Sequence, residues 1–262
     1  NCLGGLSGWI LYTKAGRSII RILENTGAWL ASVVSLRMLL AFCIGYWLLA
    51  VVLALLAQQF VKEDFKFSNW DNTYPLLVGN EQTQNRPWQG SIHMLAILDK
   101  GFSGDALTEL LLPDGLVHLI NEPSLCALYT VSGDAGMADV SGNLQPLQWR
   151  GDLTKITYQP DLAISKNQWL QTRLPVTNLT DRLKDANQFT LITAISSGNS
   201  TQSGPARIIS LSSSTARRNF TLGQAGEDLV FRLRTPCCGQ NGSQPAFGVR
   251  GSVEETGPLL LA

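Results

Sequence analysis

The sequence predicts N-terminal transmembrane α-helices followed by an all-β domain of sandwich or jelly-roll type. Three observations predict it. One apolar run is long enough to cross a bilayer. The residues before that run are basic, and those after it are balanced in charge. From Phe65 onward, short apolar runs alternate with clusters of Gly, Pro, Asn, Asp and Ser.

The apolar run is Leu36 to Ala57, LRMLLAFCIGYWLLAVVLALLA, with Arg37 at its edge as the single charge. At 1.5 Å per residue such a helix spans roughly 33 Å, enough for a hydrocarbon core of about 30 Å. No A-x-A-like cleavage site precedes a polar start, so it does not read as a signal peptide. The shorter apolar stretch Cys2 to Tyr12 carries Gly4 and Gly8 at the G-x-x-x-G spacing that lets membrane helices approach closely. It reads as the end of an earlier membrane helix. Lys14, Arg17 and Arg21 lie between the two, with Glu24 the only acid. Positive charge retained on the inside makes this loop cytoplasmic and the C-terminal part extracytoplasmic. Residues 17–30 read as an interfacial amphipathic helix or as the cytoplasmic end of a membrane helix. The expected boundaries are a membrane region at 1–61, with its helix at about 36–57, and a β-domain at 62–262. The chain opens on Asn1 and closes on Leu259-Leu260-Leu261-Ala262, so both ends read as cut and a fragment is expected.

Strands are predicted at Tyr74–Val78, Ser91–Leu98, Ala127–Val131, Phe189–Ser196, Ala206–Ser212, Phe220–Gln224 and Leu229–Thr235. Phe220 and Leu222, then Leu229, Phe231 and Leu233, alternate with polar residues at the period of half-buried strands. Ala225-Gly226-Glu227-Asp228 between them is a hairpin turn. One short helix is expected within Leu174–Leu183.

The 20 basic and 20 acidic residues cancel, which leaves no overall electrostatic case for a nucleic-acid partner. Catalysis by the common routes has no visible equipment. The two histidines, His93 and His118, form no metal-ligand spacing,, and neither a G-x-S-x-G elbow nor a phosphate loop occurs. Glycoside hydrolysis needs two facing carboxylates, whereas Glu227-Asp228 and Glu254-Glu255 are neighbours that point apart when extended. No enzyme and no resident cofactor are expected. Calcium is the one candidate ion, through Asp71, Asp99, Asp134 and Asp139; the same residues also suit ordinary turns.

The candidate binding residues are Trp70, Arg86, Trp88, Arg232 and Arg234. Trp and Arg are the side chains most enriched at binding hot spots, and Trp149 and Trp169 could join in stacking on sugar rings. For Trp70 and Trp88 a place in the sandwich core is the favoured reading. Arg207, Arg217, Arg218, Arg232 and Arg234 form a basic cluster. With Arg232 and Arg234 on one strand face, it suits acids of the chain or an anionic partner, or a solvated strand face. Outside the cytoplasm, Cys126 could form a disulfide with Cys237 or Cys238; the alternative is buried or free thiols.

Two stretches resemble known families. Phe67-Ser68-Asn69-Trp70-Asp71, Gly79-Asn80-Glu81, Arg86-Pro87-Trp88-Gln89-Gly90 and Ile97-Leu98-Asp99 resemble the late part of bacterial laminin-G-like, concanavalin-like jelly rolls. Ala127-Leu128-Tyr129, Gly204-Pro205-Ala206-Arg207-Ile208-Ile209-Ser210, Arg218-Asn219-Phe220-Thr221-Leu222-Gly223-Gln224 and Arg232-Leu233-Arg234-Thr235-Pro236 resemble the early part. The reversed order implies a circularly permuted jelly roll or two incomplete copies. Asn1-Cys2-Leu3-Gly4-Gly5-Leu6-Ser7-Gly8 resembles the start of the last helix of VanZ-like membrane proteins. Cys237-Cys238 departs from the laminin-G-like pattern at a turn, which puts an inherited role for that loop in doubt.

The resemblance implies a bacterial inner-membrane protein with its β-domain in the periplasm, so the Asn178, Asn199, Asn219 and Asn241 sequons are discounted as glycan sites. The expected function is a non-catalytic, membrane-anchored interaction protein. It would be an accessory subunit of a larger bacterial membrane complex, a photosynthetic one being one version. The expected partners are other membrane-protein subunits and the lipid bilayer. The alternatives are a carbohydrate-binding module of the cell envelope and a glycoside-active enzyme.

Overall fold

The computed structural model describes residues 66–110, 115–155, 162–244, 246–253 and 258–261, all within the unit Lys62–Ala262. The expected membrane region at residues 1–61, with its helix at 36–57 and the loop charges behind the expected location, lies outside the described residues.

Chain order begins with β1 (Leu76–Val78), β2 (Gly90–Leu98), α1 (Gly104–Leu110), α2 (Gly115–Ile120) and β3 (Leu125–Val131). It continues through β4 (Met137–Asp139), β5 (Leu147–Gly151), β6 (Leu162–Ile164), β7 (Gln168–Thr172), α3 (Thr177–Ala186) and β8 (Thr190–Ser197). The last strands are β9 (Ala206–Ser214), β10 (Arg217–Ala225), β11 (Asp228–Leu233), β12 (Phe247–Val249) and β13 (Pro258–Leu261). They run β12-β11-β10-β9-β1-β7-β5-β4-β3-β2-β8-β13 across one sheet, with β6 added to β2. The pairings are antiparallel throughout.

The sheet folds over on itself. Phe189, at the start of β8, packs its ring 5.3 Å from Phe220 on β10 and 6.3 Å from Phe231 on β11. Trp88, just before β2, donates its indole N–H to Gln224 Oε1 on β10 at 2.9 Å. Strands far apart in the sheet order therefore face each other across one apolar layer, the arrangement of a β-sandwich. Phe67 and Trp70 complete that layer, stacked at 4.5 Å.

All seven strands predicted from the sequence are present as β1, β2, β3, β8, β9, β10 and β11. The hairpin turn joins β10 to β11, with Ala225 paired to Asp228 and Gly226 at φ +65°, the left-handed region that a two-residue hairpin loop requires. The expected fold class nevertheless needs correction. The described part is mostly antiparallel sheet with three short helices, rather than an all-β domain behind transmembrane helices. No helix among the described residues is long and apolar enough to cross a membrane. The extra helices have a physical reason. The end of β2 is buried on both faces: Leu95 and Ile97 enter the main core, while Ala96 and Leu98 join Leu119, Leu125, Leu128 and Ile192 in a second cluster. Phe102 and Leu107 of the α1 region and Leu119 of α2 cover that outer face. A strand covered on both sides reads as a continuous apolar run, as Met94 to Leu98 does, but the run does not say which element covers it,.

α3 buries Leu179, Thr180 and Leu183. It ends at Asn187, whose φ of +53° gives the left-handed cap and whose N–H reaches the Leu183 carbonyl at 2.9 Å,. The Asn187 side chain also accepts the backbone N–H of Phe67 at 2.9 Å, so the cap holds the stacked Phe67–Trp70 pair. Asn187→Gly is expected to keep the cap and lose that acceptor, costing about 1 kcal/mol. Asn187→Ala loses both, for about 2–3 kcal/mol in urea unfolding. Equal costs for the two variants would show that the acceptor, not the backbone conformation, matters.

Candidate functional site

Strand register builds the site. On β9, β10 and β11 the rows Leu211–Phe220–Leu233 and Ile209–Leu222–Phe231 face the core. On the opposite face runs the row Leu77–Ser210–Thr221–Arg232. Simple alternation would place Arg207 with Ile209 and Arg218 with Phe220, both on the core side. Two β-bulges reverse this. Ile208 is the extra residue between the pairs Ile209–Leu222 and Arg207–Gly223, and Asn219 is the extra residue between Arg218–Ser212 and Phe220–Leu211,. Arg207 and Arg218 thereby join Arg232 on the face turned away from the aromatic core. Gly223, opposite Arg207, permits the close approach: a Cβ there would lie 2.7 Å from the Ala206 carbonyl oxygen.

The chain after β1 adds Glu81 and Arg86. The Arg86 carbonyl accepts the Arg207 N–H at 2.9 Å, and its guanidinium donates to the Gly204 carbonyl at 2.9 Å. Arg207 is 4% exposed, Arg218 1% and Glu81 0%, so two cations and a carboxylate are withdrawn from water. Their own hydrogen bonds are partial. Arg207 donates to the Pro205 carbonyl at 3.2 Å. Arg218 donates to Thr221 Oγ1 at 3.2 Å, to Asn241 Oδ1 at 2.6 Å and to the Thr215 carbonyl. Glu81 Oε1 accepts the Thr83 hydroxyl. What remains is a set of buried polar atoms with no partner: Nε of Arg86, Arg207, Arg218 and Arg232, and Oε2 of Glu81. Such groups cost free energy unless something meets them.

The charges feel one another. Burial first, then the neighbouring Arg218 guanidinium, pushes Arg207 down to about 9; Glu81 acts in the opposite sense, and Arg86 and Arg232 add to the depression. Burial, then Arg232, pushes Arg218 down to about 10, again against the pull of Glu81. Both stay protonated at neutral pH, so the face holds four guanidinium groups against one carboxylate. None of the four forms an ion pair among the described residues. Convergent guanidinium donors are suited to the oxygens of an anion.

The structure unites two of the predicted binding residues, Arg86 and Arg232, in this cluster and separates the others from it. Arg234 acts on Asp71 instead. Burial opposes ionisation of that carboxyl, yet the Thr73 hydroxyl and N–H, Tyr74 and Arg234 together hold it below its ordinary value. Trp70 and Trp88 are corrected to core residues. They are 3% and 0% exposed, and their indole N–H groups are taken by the Arg234 carbonyl at 2.7 Å and by Gln224. Trp149 and Trp169 are buried too. None of the four presents a face for sugar stacking. Arg207 and Arg218 belonged to the basic cluster seen in the sequence, but Glu81 was not among the candidate site residues, although Gly79-Asn80-Glu81 is part of the laminin-G-like stretch.

The candidate disulfide is also corrected, since Cys126 forms no disulfide with Cys237 or Cys238. Cys126 is sealed in the core at 2% exposure, whereas Cys237 and Cys238 sit together in a turn with their sulfurs 3.7 Å apart. Burial pushes the Cys126 thiol up to about 11. It is expected to resist iodoacetamide at pH 8 until the protein unfolds, while Cys238 reacts in the native state; peptide mass spectrometry checks both.

Three of the four candidate calcium ligands are occupied within the chain, and the side chain of the fourth, Asp134, lies outside the described residues. Asp71 accepts from Thr73, Asp99 binds Arg182 at 2.5 Å, and Asp139 accepts the N–H groups of Leu128, Ser141 and Leu144. No group of three or more metal-ligating side chains occurs among the described residues.

Fold and site together define a β-sandwich-like protein with a buried cationic face. No protein-family model matches the chain, and neither a curated protein nor a solved structure does.

Proposed function

We propose that this chain is a non-catalytic interaction protein whose β-domain is a rigid support for recognising an anionic group on a partner. One observation carries the reading: bulged strands turn Arg207 and Arg218 onto the same face as Arg232, where their buried Nε donors, and that of Arg86, lack partners. A side chain that costs stability without a partner has its use in binding. The sandwich supplies the rigidity, because the floor of the site lies on paired strands and not on a loop. The jelly-roll kinship suggested by the laminin-G-like stretches belongs to the same proposal, with the domain serving as a subunit of a larger assembly.

Gentle detergent extraction of the native source, followed by size-exclusion chromatography and mass spectrometry, tests the reading. The chain is expected to travel at a constant ratio to one or more partners, and Arg232→Glu is expected to release it from them. A chain that migrates alone, or an Arg232→Glu variant that stays in the complex, overturns it. The carbohydrate-binding alternative loses its platform with the burial of Trp70 and Trp88.

A further inference from the structure

A cleft of about 930 Å³ lies between α1, α2 and the segment Lys100–Ser103 that follows β2. That volume is in the range that takes a small molecule. The chain already seats an ammonium there. Lys100 Nζ stands 4.7 Å from the centroid of the Phe102 ring and 3.6 Å from Glu122 Oε1. An aromatic face with a carboxylate beside it is a receptor for an amine cation. The receptor is held in place. Glu122 Oε1 also accepts the Ser124 hydroxyl at 2.9 Å. The Lys100 carbonyl accepts the Thr190 hydroxyl at 2.7 Å, and the Gly101 N–H donates to Gln188 Oε1 at 3.3 Å. The Lys100 ammonium is held less well. Its side chain is 51% exposed, and its 3.6 Å approach to Glu122 is longer than the roughly 2.7–2.9 Å of a charge-assisted hydrogen bond. Such a half-exposed ion pair contributes little. The seat is built, and its present occupant is loose.

We propose that this cleft binds a small aliphatic diamine, whose first ammonium takes the place of Lys100 between Phe102 and Glu122. The methylene chain lies along Ala106 and Leu110, the apolar part of the lining. The second ammonium meets Glu109, which lines the same cleft and forms no ion pair among the described residues. Lys100 gives way cheaply, because a flexible stem carries its strongly hydrated head into water. Once it has left, the lining holds two carboxylates, and a diamine brings one charge to each. The site is separate from the arginine face and does not depend on the anionic-partner reading.

Isothermal titration of the full chain with putrescine, butylammonium and butanol, at pH 8 and low ionic strength, tests this. Putrescine is expected to bind with a Kd of about 1 mM or tighter. Butanol, which has the same carbon chain without the charge, is expected not to bind. Glu122→Gln is expected to weaken putrescine at least about tenfold, the loss of one charged contact. Phe102→Leu keeps an apolar wall without the ring face and is expected to weaken it about threefold or more. Lys100→Met removes the internal competitor and is expected to tighten binding, by up to about fivefold. A preference for putrescine over butylammonium that Glu109→Gln abolishes places the second ammonium on Glu109. Butylammonium binding as well as putrescine overturns the diamine. No heat with putrescine at tens of millimolar, butanol binding equally well, an unchanged affinity in Glu122→Gln, or weaker binding in Lys100→Met overturns the proposal as a whole. Melting curves of the four variants confirm that they fold.

Discussion

Trp88→Ala is expected to remove about 3–5 kcal/mol of stability, the largest loss available from one side chain of this domain. Trp88 is fully buried between the two halves of the folded sheet. Its deletion leaves a cavity that strands on both sides cannot collapse to fill. It also unties a polar knot. Gln224 Oε1 accepts the Trp88 indole N–H, the Ser197 hydroxyl at 2.7 Å and the Gln202 amide at 3.1 Å. The Gln224 amide donates to the Asn199 and Gly226 carbonyls at 2.7 and 2.9 Å. Gln202 in turn exchanges two bonds of 2.7 Å with the backbone of Gln89. These contacts join the start of β2, the end of β8 and β10, so the knot fastens the two halves together. Trp88→Phe keeps most of the volume and removes only the indole donor, and is expected to cost about 1–2 kcal/mol. Urea unfolding followed by tryptophan fluorescence and far-ultraviolet circular dichroism measures both. A loss below about 1 kcal/mol for Trp88→Ala would mean that the two halves are not held together through this residue.

Arg207→Met is expected to act in the opposite direction and raise stability by about 1–3 kcal/mol. Arg207 holds a charge away from water beside three other guanidinium groups, with one hydrogen bond of 3.2 Å to the Pro205 carbonyl. Methionine fills a similar volume without the charge. The gain has a pH signature. The folded-state value of Arg207, about 9, lies below the ordinary guanidinium value. Between these values the unfolded chain binds the proton and the folded one does not. Stability of the unmodified protein thus rises with pH in that window through this group. Its penalty is fully present below pH 9, so the advantage of Arg207→Met is expected to shrink as pH rises through 9. Cys126 works the other way, because its folded value of about 11 lies above the ordinary 9.0. Comparing the two proteins at each pH removes that shared contribution. An Arg207→Met variant less stable than the parent would show that the guanidinium is well accommodated and would remove the physical case for a ligand there.

The sequence by itself determined the strands that alternate cleanly. Phe220 and Leu222 with Leu229, Phe231 and Leu233 fixed β10, β11 and their turn, because a strand with one solvated face must repeat every two residues. The apolar run of β2 was equally visible. The three- to five-residue strands β4, β5, β6, β7 and β12 were not, since so few residues carry no readable period and their pairing is set by neighbours distant in the chain; β13 was read only as an interrupted strand at Leu259-Leu260-Leu261. Nor were α1 and α2: the continuous apolar run at the end of β2 marks a second buried face but not what covers it,. The site was half legible. Arginines at 207, 218, 232 and 234 stood out as a cluster, and Arg86 as a loop cation. Which of them converge depended on Ile208 and Asn219, two extra residues that rotate the strands by one position each. A bulge has no side-chain signature of its own, so only the register of the paired strands could turn Arg207 and Arg218 onto the face of Arg232. Burial decided the tryptophans in the same way: Trp70 and Trp88 look alike in sequence whether they stack on a sugar or on Phe67, and the folded sheet closed over them.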